Sequence, residues 1–326
     1  MIAAYFKNFV DGFGQGWNRF WYEPSDPLPL GVIRILAGIL AIVSLVSFTT
    51  DLDTLLSNSG MMPVSLVVDL QSPQNDAGQL VRPWRWSYLD FFRGRDLQIV
   101  HGLGGVVLVL FTLGLFTRFT SIAALIVVVS YLHRLPMVAM YHERILAFVL
   151  LFLAMGPAGA RLSLDRWLAN RKGLPAAGRL WSATVALRLM QIQFAVMCFM
   201  MAIAKLSVGG DMWWPGLAVW WIAQLPQASL VNLSWLGRSH QFLINFWSHV
   251  IVFFELLFPF LIWRPLLQPL LIGLGIAIWL SVMILTGHVL FILSLLTALL
   301  CFVSGEQMQA LAACCGCCRT KTALSK

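Results

Sequence analysis

The stretch Leu30-Gly-Val-Ile-Arg-Ile-Leu-Ala-Gly-Ile-Leu-Ala-Ile-Val-Ser-Leu-Val-Ser-Phe-Thr49 decides the fold, because it carries a single charge, Arg34. A helix needs about 20 mainly apolar residues to cross the hydrocarbon core of a bilayer, and a helix satisfies its own backbone there. Reading outward gives further apolar windows near 97–116, 119–135, 141–156, 182–206, 244–263, 266–286 and 288–305. Connections as short as Phe116-Thr-Arg-Phe119 and Trp263-Arg-Pro-Leu266 force their flanking helices to run antiparallel. The expected fold is all-α: a polytopic integral membrane helical bundle of about eight transmembrane helices, with further helices lying at the interfaces.

Composition points the same way. The 326 residues are 59% hydrophobic and 11% charged, under half the charge of an average soluble domain, which is too little to cover a water-soluble fold. The 14 Trp suit a protein with two membrane interfaces. The net charge of +8 reads as topology and not as affinity for nucleic acid, because basic residues gather in one short loop. Residues 157–181 hold Arg161, Arg166, Arg171, Lys172 and Arg179 against Asp165. The positive-inside rule puts that loop in the cytoplasm, together with both termini, Arg118 and Arg264. A bacterial inner membrane is the expected location. Loop 50–96 then falls outside, where Arg82, Arg85, Arg93 and Arg95 are offset by six aspartates, Asp51 to Asp96.

The flanks differ from the centre. Residues 1–25 place Ile2, Phe6, Phe9, Val10, Phe13, Trp17, Phe20 and Trp21 at steps of three and four before Pro24 and Pro27. That pattern predicts an amphipathic helix lying on the membrane, and no cleavable signal peptide is expected. Residues 26–305 form the membrane domain. Residues 306–326 form a cytoplasmic basic tail whose Cys314-Cys315-Gly-Cys317-Cys318 suggests a solvated juxtamembrane segment, with metal, lipid or redox chemistry as the alternative. Outside, segment 207–243 carries Trp213, Trp214, Trp220, Trp221 and Trp235, and Gly216–Leu225 is too short to cross.

Ionisable residues inside spans cost several kcal/mol unless paired or hydrated, so each needs a reason. Lys205 ends the fifth span, and Gln191, Cys198 and Lys205 recur at intervals of seven with Ala195 and Ala202 between, giving one small, polar helix face. A lysine held there can serve as a base, and a lysine snorkelling to the interface is the plainer reading. His142 opens the fourth span within Tyr141-His142-Glu143-Arg144, on the same outer side, so it is expected to pair with Lys205. Glu255 lies mid-way along the sixth span, and a structural charge pair with Arg34 or Arg188 is the expected reading. His249 and His288 have no recognisable metal spacing, and no metal site is expected.

Three blocks, in order, carry a resemblance. Asp26-Pro-Leu-Pro-Leu-Gly-Val-Ile-Arg-Ile-Leu-Ala-Gly comes first, then Tyr141-His142 with Leu162-Ser-Leu-Asp-Arg-Trp, then Arg188 through Ala204-Lys205-Leu206 with Asp211 and Trp213-Trp214. Over about residues 25–305 the chain resembles the HTTM (horizontally transferred transmembrane) family, which includes the membrane domain of vitamin K-dependent γ-glutamyl carboxylase. The resemblance implies an enzyme that uses reduced vitamin K (menaquinol or phylloquinol) with O2 and CO2 to carboxylate peptide glutamate. It implies Lys205 as the base and His142 as its assistant, with Trp213, Trp214 and Gln191 expected to line the site of the isoprenoid quinol. The family's carboxylases continue into a large extramembrane domain that this sequence lacks, so a secreted or membrane-anchored peptide substrate is expected to be presented by a separate protein. In the seventh span, where relatives commonly carry a histidine, the chain reads Ala277-Ile278-Trp279. The alternative function is that of a non-carboxylating HTTM protein acting in maturation or export of a secreted peptide.

Overall fold

The computed structural model describes residues 2–56, 60–72, 81, 85–136, 141–175, 178–224 and 241–314, with the side chains of 2–9, 223 and 314 left aside. The described residues are helical and contain no strand. The helices are α1 (Ile2–Tyr22), α2 (Leu28–Ser47), α3 (Leu52–Leu56), α4 (Val64–Gln71), α5 (Gly94–Leu113), α6 (Thr117–Arg134), α7 (Tyr141–Met155) and α8 (Leu164–Arg171). They continue with α9 (Trp181–Ser207), α10 (Gly210–Trp213), α11 (Ala218–Ala223), α12 (Gln241–Leu261), α13 (Gln268–Thr286), α14 (Val289–Leu299) and α15 (Gly305–Cys314).

Five of these are long and apolar enough to cross a membrane: α2, α5, α9, α12 and α13; counting Val289–Phe302 together with Gly305–Ala313 makes up to six. The expected third and fourth spans form α6 and α7 with nearly the bounds read from sequence, but neither reaches the length and apolarity of the five. Helix α7 has 15 residues, about 22 Å of rise, and its first turn carries His142, Glu143 and Arg144. Helix α6 has 18 residues, but Arg118, His133 and Arg134 sit at its ends. The aromatic stripe does form a helix, ending at Tyr22 just before Pro24, and Val10, Phe13 and Trp17 are exposed on it. Trp235 and residues 315–326, with three of the four tail cysteines, lie outside the described residues.

The chain divides into two compact units, one drawn from 1–188 and 303–326, the other from 189–302. In unit 1, α2 packs on α5 and α6 on α7. Gly38 makes the first contact possible, since a Cβ there would lie 2.2 Å from Thr112 Oγ1; small residues let helix backbones approach in this way. Helix α5 stops at Gly114, whose φ of 71° gives the left-handed cap that releases the chain into the short turn before α6. At one end of this unit three segments meet. Ser25 and Leu180 exchange backbone hydrogen bonds, Arg179 pairs with Glu306 at 2.6 Å, and Asp26 accepts from Gln309 Nε2. Residues 25–26, the end of loop 157–181 and α15 therefore meet on one side of this unit.

Unit 2 is built on aromatic rings. Phe194 of α9 packs on Phe258 of α12 and Trp279 of α13 with centroids 5.7 and 5.6 Å away, and Phe258 meets Phe302 at 5.5 Å. Edge-on pairs at these separations add roughly 0.5–1.5 kcal/mol each beyond burial. Trp279 itself is core, 2% exposed.

Candidate functional site

Lys205 lies in the last turn of α9, where a cation also suits the negative end of the helix dipole. Its Nζ donates to both carboxylate oxygens of Glu255 on α12, to Oε1 at 2.5 Å. The lysine side chain is 21% exposed and the glutamate 3%. Removing two charges from water costs several kcal/mol per ion, and direct attraction with good hydrogen bonds is what offsets that cost. Glu255 thus finds its cation in Lys205. The expected partners were Arg34 and Arg188, whose recorded hydrogen bonds end on backbone carbonyls.

A short return of the chain covers the pair. After α9, Val208 and Gly209 both donate to the Ala204 carbonyl, and Gly209 accepts the Trp213 ring so closely that a Cβ would meet it at 2.8 Å. The Trp213 ring then lies 5.2 Å from Lys205 Nζ, within cation–π range. Trp214 Nε1 donates to the Leu206 carbonyl at 3.2 Å. His249, on α12, has Nδ1 at 2.7 Å from the Asn245 carbonyl and Nε2 at 3.1 Å from the Trp214 carbonyl, so it fastens this return to α12. Cys198 is buried two turns below the lysine. Gln191 is about four turns and 21 Å from Lys205 along the same helix. Its Nε2 donates to the Cys301 carbonyl at 2.7 Å, so a ring held at Lys205 lies beyond its reach.

His142 belongs to unit 1, in a buried triad. Its Nε2 lies 3.1 Å from Ser44 Oγ and 3.1 Å from Glu143 Oε1, and Ser44 Oγ donates to the same carboxylate oxygen at 3.2 Å. A small cavity of about 20 Å³ adjoins it, lined by Ser44, Phe48, Tyr131 and Glu143 among others. The expected pairing of His142 with Lys205 joins residues of two units, and within its own unit each base has a carboxylate beside it.

The arginines do other work. Arg34, fully buried, donates from Nη1 to the Ala158 carbonyl at 2.9 Å and from Nη2 to the Leu162 carbonyl at 2.5 Å. Asp165 completes that knot by accepting from the amides of Phe116 and Thr117 and from the Thr117 hydroxyl, so it caps α6 from 49 and 48 residues away. Burial opposes the Asp165 charge, but those three donors and the Arg34 charge outweigh it and hold its pKa below the usual 3.8. Arg188 Nε donates to the Phe20 carbonyl at 3.2 Å, with its guanidinium over the Phe20 ring.

Sequence reasoning missed a second polar set. Arg134, 1% exposed, donates to the Met62 and Leu56 carbonyls at 2.7 and 3.0 Å and pairs with Asp90 at 3.3 Å, and Arg85 also meets Asp90. Nearby, His101 joins Thr49 Oγ1 at 3.0 Å and the Tyr131 hydroxyl at 2.6 Å. Their sequence signal was Arg134 at the end of an apolar helix and His101 two turns inside another. Among the described residues no three His, Cys, Asp or Glu gather as a metal site.

The fold and site so far define an all-helical protein with membrane-length apolar helices and one half-buried lysine–glutamate pair under a tryptophan. Comparison with known proteins finds no matching family model, no matching curated protein and no matching solved structure.

Proposed function

We propose that this is a membrane enzyme of the vitamin K-dependent carboxylase kind, with Lys205 as its proton acceptor and Glu255 as the partner that lets it act. The observation that carries the proposal is the Lys205–Glu255 contact, in which every recorded hydrogen bond of the amine ends on a side chain that can itself take a proton. A proton passed from Nζ to a Glu255 oxygen leaves a neutral amine and a carboxylic acid, with no net charge change in the apolar site. The amine lone pair can then accept a hydroxyl proton, which restores the ammonium beside a group ready to ionise again. General acid–base transfer of this type contributes typically 10²–10⁴ in rate.

The neighbouring side chains suit a flat hydroxylated ring: Trp213 offers an aromatic face beside Nζ, and the lysine is partly open while Glu255 is closed off. A reduced quinone such as menaquinol or phylloquinol supplies, with O2, the strong base for a glutamate γ-proton, and CO2 supplies the carbon. Lys205 would hold and remove the hydroxyl proton, and Trp213 and Trp214 would bound the ring. The peptide substrate is a secreted or membrane-anchored chain presented by a separate protein.

In this reading α6, α7 and α14 cross as short spans, which with α2, α5, α9, α12 and α13 gives eight. The basic loop 157–181 puts both termini in the cytoplasm of a bacterial inner membrane. The test is mass spectrometry of glutamate-containing peptides incubated with the protein, vitamin K hydroquinone and labelled bicarbonate. Label in the peptide that requires the hydroquinone supports the proposal. Peptide processing without label or hydroquinone requirement would replace it with the maturation or export role.

A further inference from the structure

We infer that a groove beside α8 in unit 1 holds the headgroup of an anionic phospholipid from the leaflet bordering loop 157–181. The groove has a volume of about 420 Å³ and a mixed lining, with Ile35, Leu113 and Leu162 among its apolar residues beside Arg166, Trp167 and Asn170. Of these, Ile35 lies in the second turn of α2 and Leu113 at the last residue of α5, two helices of membrane length, and the groove therefore lies at the level of a helix end. Above it, exposed Leu36, Ile39 and Val43 of α2 and Val106, Val109 and Leu113 of α5 continue as an apolar track fit for acyl chains.

The charge of the site is positive and held in place. Arg166 Nη2 donates to the Leu174 and Pro175 carbonyls at 3.2 and 2.5 Å, which fixes the guanidinium. Its Nε and Nη1 have no hydrogen bond or ion pair among the described residues. The nearest acid in sequence, Asp165, forms no recorded ion pair with it and turns its oxygens to the Phe116 and Thr117 donors. Trp167 is exposed with the Arg171 guanidinium 3.8 Å from its ring centre, and Leu164 and Leu168 are exposed on the same short helix. An indole beside a basic residue on an amphipathic helix is the arrangement that sits among headgroups. A forked guanidinium with free edges matches phosphate oxygens, and Asn170 adds an amide donor.

The test uses the full chain in detergent, titrated separately with phosphatidylglycerol, phosphatidylcholine and inorganic phosphate, and read by native mass spectrometry and melting temperature. Phosphatidylglycerol should be retained over phosphatidylcholine, and Arg166→Gln should weaken its retention about fivefold, the effect of one basic residue at an anionic surface. Because Arg166 also ties a loop, Asn170→Asp provides a second variant at an exposed position and should weaken retention in the same direction. Lys172→Gln, on the same loop but outside the lining, should leave it unchanged. Equal retention of the two lipids would overturn the inference. So would equal loss in Lys172→Gln, which would indicate a diffuse basic surface, or the same stabilisation by phosphate alone. This outcome does not depend on any catalytic activity.

Discussion

In unit 1 the hydrogen bonds of two buried arginines end on the main chain: Arg34 on the carbonyls of Ala158 and Leu162, and Arg134 on those of Met62 and Leu56, with Asp90 beside it. In unit 2 Lys205 gives its protons to Glu255 alone among its recorded hydrogen bonds. The difference separates structure from chemistry. A guanidinium bonded to carbonyls can neither lose its proton nor release its partners without unmaking a loop. An amine bonded to a carboxylate can exchange a proton while no backbone atom moves. Arginine suits the first task, with a fork of donors and a charge that persists at any working pH, and lysine the second.

The largest expected effect falls on unit 1. Arg34→Met removes a buried charge and strands two carbonyls and Asp165, which should cost about 3–5 kcal/mol in thermal or denaturant unfolding. An unchanged melting temperature would break the contrast. Glu255→Gln should cost less, about 1–2 kcal/mol, because the partly exposed Lys205 can rehydrate. Its activity per folded molecule should nonetheless fall at least tenfold. Combined with Lys205→Met, the two losses should be non-additive by about 0.5–3 kcal/mol, as for residues in contact, and simple addition would mean that they act separately.

Asp165→Asn should cost about 1 kcal/mol, the ordinary value of a lost helix cap. A carboxyl held below its unfolded pKa contributes stability above that pKa and loses it as pH falls. The wild-type protein should therefore weaken below about pH 4, and the variant should show a flatter acid limb in pH-dependent melting. The smallest effect concerns Tyr88, whose hydroxyl is pushed up to about 12 by burial. Unfolded tyrosine ionises near 10, so stability present below that pH is lost between about 10 and 12. Ultraviolet titration of Tyr88→Phe against wild type should show one high-pH phenol missing.

The long helices were legible because apolar length is written directly in sequence, as in residues 30–49 and 244–263. The shorter α6 and α7 were legible in extent too, but the break within 288–305 was not, since an apolar window cannot say where the backbone leaves its axis. Lys205 and Glu255 were each legible as residues needing a partner. Their meeting was not, because it depends on the register of two helices whose contacting residues lie 50 positions apart. Arg34 looked like the natural cation for Glu255, since nothing in its own helix announces that carbonyls 124 and 128 residues away will fill its donors. Ser163 caps α8 in the folded chain. Asp165 two residues on serves a different helix, which only the folded chain discloses.

The most direct measurement compares wild type with Lys205→Ala for hydroquinone-dependent incorporation of labelled bicarbonate into peptide, with the melting temperature of each recorded on the same sample. The account predicts that Lys205→Ala abolishes incorporation while melting within a few degrees of wild type, since a half-buried amine that binds no backbone holds no loop together. Incorporation that persists without Lys205, or activity lost only in step with unfolding, would contradict it.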